Sequence, residues 1–151
     1  MEIQLAKALG RAAALAGTQL GNIQLMDWRR GALVIKSSLG FDAHFLETFR
    51  QVPLTAPTIC ARAALERKPV LVADVFADDA FAPYHDIARE IGFHGVLSTP
   101  MISRSRIFVG VLSLHFAKAE CPQDPAVAVD IARTTADQLL AWPGLAWPGL
   151  T

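Results

Sequence analysis

Residues 93–116 constrain the fold more than any other stretch. Gly95-Val96-Leu97-Ser98-Thr99-Pro100-Met101-Ile102 and Ile107-Phe108-Val109-Gly110-Val111-Leu112-Ser113-Leu114-His115-Phe116 are two apolar runs of strand length. Ser103-Arg104-Ser105-Arg106 makes a short polar break between them, the pattern of a β-hairpin. The second run is apolar at nearly every position, which predicts an inner strand covered on both faces. Gly110 stands alone in this β-branched and aromatic run and marks close approach of another part of the chain.

If the turn is two residues, Ser105-Arg106, side-chain alternation sorts the hairpin into two faces. Val96, Ser98 and Pro100 share one with Val111, Ser113 and His115. Leu97, Thr99 and Met101 share the other with Gly110, Leu112 and Leu114. The second face suits tight packing under a helix. The first is more polar and suits a pocket wall, where a few placed polar groups orient a ligand. A one-residue slip of register would exchange the faces. The competing reading is that Ser98, Ser113 and His115 serve only buried backbone or water.

The other elements follow from punctuation and period. An Ala-rich helix covers residues 2–17 and stops at Gly17. Strands at 22–27 and 32–38 flank a loop at 28–31. Ala43 to Arg50 carries Phe45, Leu46 and Phe49 at helical spacing. The stretch between Pro53 and Pro57 reads as irregular. Thr58 can cap a helix to Glu66 with Ile59, Ala63 and Leu65 partly inward. Val70–Val72 is a short edge strand, Asp74–Pro83 a loop with one helical turn, and Tyr84–Ile91 a helix stopped by Gly92. Asp124 and Pro125 announce the last helix, which runs to Ala141. Residues 142–151 form a separate tail that completes two copies of Ala-Trp-Pro-Gly-Leu begun at Ala141. It reads as disordered or partner-bound, leaving 1–141 as one domain.

Composition excludes several classes. The formal net charge of the 151 residues is zero and there is no Lys/Arg run, so nucleic acid and anionic membrane have no electrostatic footing. No apolar run approaches the roughly 20 residues that span a bilayer. Met1-Glu2-Ile3-Gln4 lacks the features of a secretory leader. Two cysteines, Cys60 and Cys121, make no Cys-x-x-Cys pair and no disulfide framework, and a reducing cytoplasm is the expected compartment.

Taken together, the blocks of the chain resemble the GAF domains of bacterial signalling proteins, in a subgroup often attached to sensor histidine kinases. The matching residues are Gly21-Asn22-Ile23-Gln24-Leu25, Gly40-Phe41-x-x-x-Phe45-Leu46, Cys60-x-Arg62-Ala63, Val72-x-Asp74-Val75, Phe81-Ala82-Pro83, Gly92-Phe93-x-x-Val96-x-Ser98-Thr99-Pro100 and Gly110-Val111-Leu112-Ser113-Leu114-His115-Phe116. The resemblance implies an α+β fold of the PAS/profilin-like kind. Its central antiparallel sheet has order 2-1-5-4-3, counting strands along the chain. The terminal helices lie on one face, and the middle helices and loops enclose a pocket on the other. One departure is in the hairpin turn: similar proteins often have Asp-Gly where this chain has Ser105-Arg106, and neither residue suits the positive φ of a tight turn.

The residues expected to meet a ligand are Cys60, Asp74, Phe81, Tyr84, Val96, Ser98, Ser113 and His115. Cys60 follows a helix start, which can activate a thiol, although a small buried apolar role is commoner. Asp74, Asp78, Asp79, Asp86 and Glu90 crowd the segment before the hairpin and read as capping groups more readily than as acid/base or cation ligands. The four histidines lack metal-ligand spacing, so no metal is assigned, and no cofactor is identified. No catalytic constellation or phosphate-cradling glycine loop is present.

Three functions compete. The leading one is a non-enzymatic sensory domain that binds an unidentified small molecule and signals through its terminal helices. The second is a GAF domain without ligand, used for dimerisation or protein docking. The third is a thiol-dependent methionine sulfoxide reductase, which needs an attacking thiolate and a resolving thiol. A homodimer is expected through the first and last helices. The first offers Ala6, Ala8, Ala12, Ala13, Ala14 and Ala16. The last carries two apolar stripes, Val127, Ile131 and Leu139 beside Val129, Ala136 and Leu140. The resemblance adds a histidine kinase as the kind of signalling partner.

Overall fold

The computed structural model describes residues 1–118 and 124–143. Cys121 and most of the tail, residues 144–151, lie outside them. Helix α1 (Glu2–Ala16) ends at Gly17, whose φ of 77° lets its N–H reach back to the last turn. Strands β1 (Leu20–Asp27) and β2 (Ala32–Leu39) form the first hairpin. Helix α2 (Ala43–Thr48) is capped by Asp42, strand β3 is Gln51–Pro53, and helix α3 (Ile59–Glu66) is capped by the Thr58 hydroxyl. Strand β4 (Val70–Val72) leads into two 3₁₀ turns, Val75–Ala77 and Asp79–Tyr84, and then helix α4 (His85–Ile91). Strands β5 (Gly95–Ile102) and β6 (Phe108–Phe116) are the central hairpin, and α5 (Ala126–Leu140) closes the described chain.

The six strands form one antiparallel sheet in the order β3-β2-β1-β6-β5-β4. This is the anticipated five-strand order with one further strand at the β2 edge. That strand falls in the stretch read as irregular. It pairs only three residues with β2, and its Pro53 is tolerated because an edge position has no outer neighbour to supply.

Each face of the sheet has its own core. On one, α1 and α5 pack Leu5, Leu9, Ile131 and Leu139 against Ile23, Leu97, Met101, Leu112 and Leu114. On the other, α2, α3, α4 and the 3₁₀ turns pack Phe45, Ile59, Phe81, Ile87 and Phe93 against Met26, Leu33, Val96 and Val111. Three local expectations shift. Leu65 is 62% exposed, because two residues from Ala63 is half a turn around an α-helix. The last helix begins at Ala126, with the Asp124 carboxylate accepting the Ala126 N–H at 2.9 Å. His85, which its place near Glu90 on a short helix marks as a solvated-face residue, instead brings its Nε2 within 2.7 Å of the Val75 carbonyl and holds the first 3₁₀ turn.

The hairpin turn is longer than two residues, yet the register is the one a two-residue turn would produce. Arg106 donates its N–H to Ser103, and the Ser103 N–H pairs with Ile107, so Arg104–Arg106 form a three-residue loop. Arg106 supplies the positive φ, 68°, that such a loop needs at its last position. The register shifts again between Met101 and Ile102, where Val109 is the extra residue on β6, and Ser98 ends opposite Ser113. Two irregularities cancel, and the faces fall as alternation predicts. Among the described residues no helix is long and apolar enough to cross a membrane.

Candidate functional site

On the α2/α3 face, the sheet and its covering elements enclose a small cavity of about 30 Å³. Its floor is polar, built by strand pairing. Asn22 of β1 lies opposite Ser113 of β6, which lies opposite Ser98 of β5. The two serine hydroxyls are 2.7 Å apart and satisfy each other. Gln24 and His115 extend this floor two residues along β1 and β6, since every second residue shares a face.

The roof is aromatic. Phe45 and Phe49 come from α2 and its end, Phe81 from the second 3₁₀ turn, and Phe93 from the approach to β5. His115 sits among these rings, edge-on to Phe93 at 4.7 Å and to Phe41 at 4.9 Å between centroids. Such edge-to-face packing fixes ring orientation as well as burying area. The first turn of α3 completes the wall with Thr58, Ile59 and Cys60.

Polar groups at this site are incompletely satisfied. Asn22 Oδ1, Gln24 Oε1 and His115 Nδ1 are buried without a hydrogen-bond partner. Each such group costs on the order of 1–3 kcal/mol relative to a paired one. Burial drives the His115 pKa down from 6.5 to about 3, so its ring is neutral. Burial also pushes the Cys60 thiol up, against the opposing pull of hydrogen bonds from Thr58 and Gln24. The Thr58 hydroxyl is 3.3 Å from Cys60 Sγ and also accepts the Ala61 N–H. This thiol is held protonated, the opposite of an activated nucleophile.

Of the eight residues expected at the site, Cys60, Phe81, Val96, Ser98, Ser113 and His115 line the cavity. Asp74 and Tyr84 do not. Asp74 caps the first 3₁₀ turn by accepting the Phe76 N–H. Tyr84 packs with its ring tilted against Phe49 and Phe81 and does not line the cavity. Asn22, Gln24, Phe45, Phe49, Thr58, Ile59 and Phe93 are the lining residues that sequence reading missed. The alternation Asn22-Ile23-Gln24-Leu25 puts Asn22 and Gln24 on one face of β1, and the pairing of β1 with β6 makes it the face of Ser113.

The acidic crowd before the hairpin is structural. Asp78 caps the second 3₁₀ turn and pairs with Arg62 at 2.6 Å, Asp86 pairs with Arg89, and Glu90 with His44. Among the described residues, no three of His, Cys, Asp and Glu are grouped to hold a metal ion.

The family model described as "GAF domain" matches residues 4–140. No curated protein sequence matches the chain. Among solved structures, a domain described as part of a two-component sensor histidine kinase from Sinorhizobium meliloti superposes with a TM-score of 0.75 at 15% identity, over 93% of this chain and 90% of that one. The free methionine-R-sulfoxide reductase of Neisseria meningitidis, solved with its substrate, gives 0.71 at 21% identity, over 91% and 75%. The GAF domain of a phosphoenolpyruvate-protein phosphotransferase from Coxiella burnetii gives 0.70 at 19% identity, over 92% and 82%. At these identities the likeness is one of fold, shared by regulatory domains and reductases alike.

Proposed function

The chain belongs to the GAF domain family, and on that premise we propose that it is a non-enzymatic sensory domain that takes a small polar molecule between its sheet and α3. One observation carries the reading: three buried, unpartnered polar groups, on Asn22, Gln24 and His115, converge on one cavity. A domain used only as a scaffold gains nothing from unsatisfied amides in its core, where apolar residues of the same shape are at least as stable. An occupant with matching donors and acceptors turns the same groups into specificity.

The cavity as it stands has room for little more than one or two waters. A ligand therefore enters by displacing part of the roof. Phe81 is the movable piece, because it rides on 3₁₀ turns tied down by a few caps and the His85 contact rather than by a long helix. The Cys60 thiol, held protonated by burial, supports the non-enzymatic reading over a thiol-dependent reductase. The small volume favours one alternative, a GAF domain without ligand whose aromatic roof fills the pocket.

Gln24→Met separates the two. The substitution keeps shape and removes the unpaired Oε1 together with the Gln24 hydrogen bond to Cys60, and is expected to leave unfolding stability unchanged or raise it by up to about 1 kcal/mol. In a thermal-shift screen of small polar metabolites, wild type should respond to at least one compound. Saturation near a hundredfold Kd adds about 2.7 kcal/mol, or roughly 5–10 °C for a domain of this size. Gln24→Met should lose that response while melting at or above the wild-type temperature alone. If no compound shifts the wild type, and native mass spectra of the protein purified from cells show only the bare chain, the scaffold reading stands instead.

The output is proposed to leave through α1 and α5, which pack on each other and on the opposite face of the sheet, toward a partner such as a histidine kinase. A homodimer through these helices fits the exposure of Ile3 and Leu15 on α1 and Val127 on α5. Much of the expected seam is already used inside the fold, since Ala12, Ala13, Ile131, Ala136 and Leu139 are buried in the chain's own core. Sedimentation at tens of micromolar should show a dimer for the full chain and for a chain ending at Ala141. Monomers in both cases would remove the bundle, and a dimer of the full chain alone would assign the contact to the tail.

A further inference from the structure

Strand β4 covers β5 only from Val96 to Ser98. Past Ser98, β5 runs on to Ile102 with β6 on one side and no strand on the other. This free edge is bordered by arginines: Arg67 from the end of α3, Arg104 and Arg106 from the hairpin turn, and Arg133 from α5. They come from three segments far apart in sequence and surround one groove of about 420 Å³. Arg104 is engaged by Asp137, which accepts both its backbone N–H and its guanidinium. Among the described residues, Arg67, Arg106 and Arg133 have no salt-bridge partner, so the groove carries a positive excess in a chain of zero net charge.

The backbone is also spent here. The non-glycine residues with positive φ among those described are Arg67, at 57°, and Arg106, at 68°. Both positions, a helix C-cap and the last residue of a three-residue hairpin loop, ordinarily belong to glycine or asparagine. Left-handed geometry is unfavourable for an L-residue with a Cβ. The Arg67 guanidinium lies over the Phe108 ring at 3.9 Å, which orients its planar fork. Thr99, a residue only 1% exposed, also borders the groove, and its buried hydroxyl has no hydrogen-bond partner.

We propose that this groove is a second ligand site, distinct from the sheet-face cavity, and that it binds the phosphate end of a phosphorylated small molecule. Guanidinium forks match phosphate oxygens two at a time. A monocarboxylate would leave most of the positive excess uncompensated, whereas a phosphate ester or diphosphate brings two or more charges. The volume lies within the range of small-molecule sites, and Ile102 and Val129 offer an apolar wall for the organic part. An extended peptide adding to this edge meets Pro100, which has no N–H to give.

Isothermal titration of the full chain with sodium pyrophosphate tests the assignment, with sodium chloride holding ionic strength constant. The expected result is one-to-one binding with Kd near or below about 1 mM. The double variant Arg67→Asn/Arg133→Gln should weaken it at least about tenfold, as loss of charge-assisted hydrogen bonds requires. Asn suits the left-handed position, so that variant should melt at or above the wild-type temperature. Arg11→Gln, an exposed α1 change away from the groove, should bind as wild type does. Heat no greater than that of chloride, or affinity unchanged in the double variant, overturns the proposal. So does binding of a single-stranded oligonucleotide that pyrophosphate fails to displace. None of these outcomes depends on whether the sheet-face cavity takes a ligand.

Discussion

Gly110→Val is expected to yield little or no folded protein, and Gly110→Ala a protein that melts about 10 °C or more below wild type. A Cβ at Gly110 would stand 2.0 Å from the Gln24 carbonyl oxygen and 3.0 Å from the Leu25 Cα. Both are backbone atoms of β1, so no side chain can swing away to make room. The strand would have to move, and β1–β6 is the central pairing of the sheet. Ordinary overpacking costs roughly 1–3 kcal/mol, more where backbone must shift. About 3 kcal/mol is a large fraction of the 5–15 kcal/mol that holds a typical domain together, and corresponds to roughly 10 °C in a chain of this length. Gly10→Ala is the internal contrast. Gly10 lies inside α1 with nothing within 4 Å of its would-be Cβ. There the substitution only removes conformational freedom from the unfolded chain and should stabilise by about 0.5–1 kcal/mol. Thermal melts of the variants side by side check both signs. A Gly110→Ala protein with the wild-type melting temperature would mean that β1 and β6 do not approach as closely as described.

The same strand shows what the sequence makes legible and what it hides. Gly110 stands out because every neighbour is bulky, so its role could be named without knowing which backbone approaches. The face assignment of Ser98, Ser113 and His115 was legible because alternation is a local rule. It survived a three-residue loop that had been counted as two because Val109 bulges out and restores the register. That compensation depends on tertiary packing and leaves no mark in the pattern. Asn22 and Gln24 join the site through the pairing of β1 with β6, a contact between segments about ninety residues apart, and their polarity gave no reason to place them beside His115 rather than in solvent. Asp74 and Tyr84 went the other way. They are near Phe81 in sequence, but a 3₁₀ turn rotates neighbours by about a third of a circle per residue, so proximity along the chain did not bring them to one wall. The arginine groove was hidden most completely. A charge patch assembled from three distant segments contains no run to notice, and the one local clue, Ser105-Arg106 where Asp-Gly is usual, looked like a defect of the turn.

Stability should fall as the pH drops below 6.5, and His115 should account for the slope. In the unfolded chain its imidazole titrates near 6.5, whereas burial in the fold lowers that value to about 3. The sign follows from proton counting. At pH 5 the unfolded state holds a proton on this ring that the folded state refuses, so acid favours unfolding. The contribution is fully present above pH 6.5 and is lost progressively as pH falls toward 3. Each pH unit in that window costs about 1.4 kcal/mol, or about 2 kcal/mol between pH 6.5 and pH 5. For this chain that is roughly 4–8 °C in melting temperature. In His115→Gln the group that titrates is gone, and the difference in slope between variant and wild type isolates it from other histidines. Parallel slopes over pH 5–7 would show that the ring takes up its proton in the folded state and is not sealed among Phe41, Phe45 and Phe93 as the geometry has it. The measurement also reads the site. Nδ1 of His115 has no partner, so a bound molecule presenting an anionic oxygen to it would favour the imidazolium and flatten the acid slope, while a neutral donor would leave the slope intact and add a constant stabilisation at every pH.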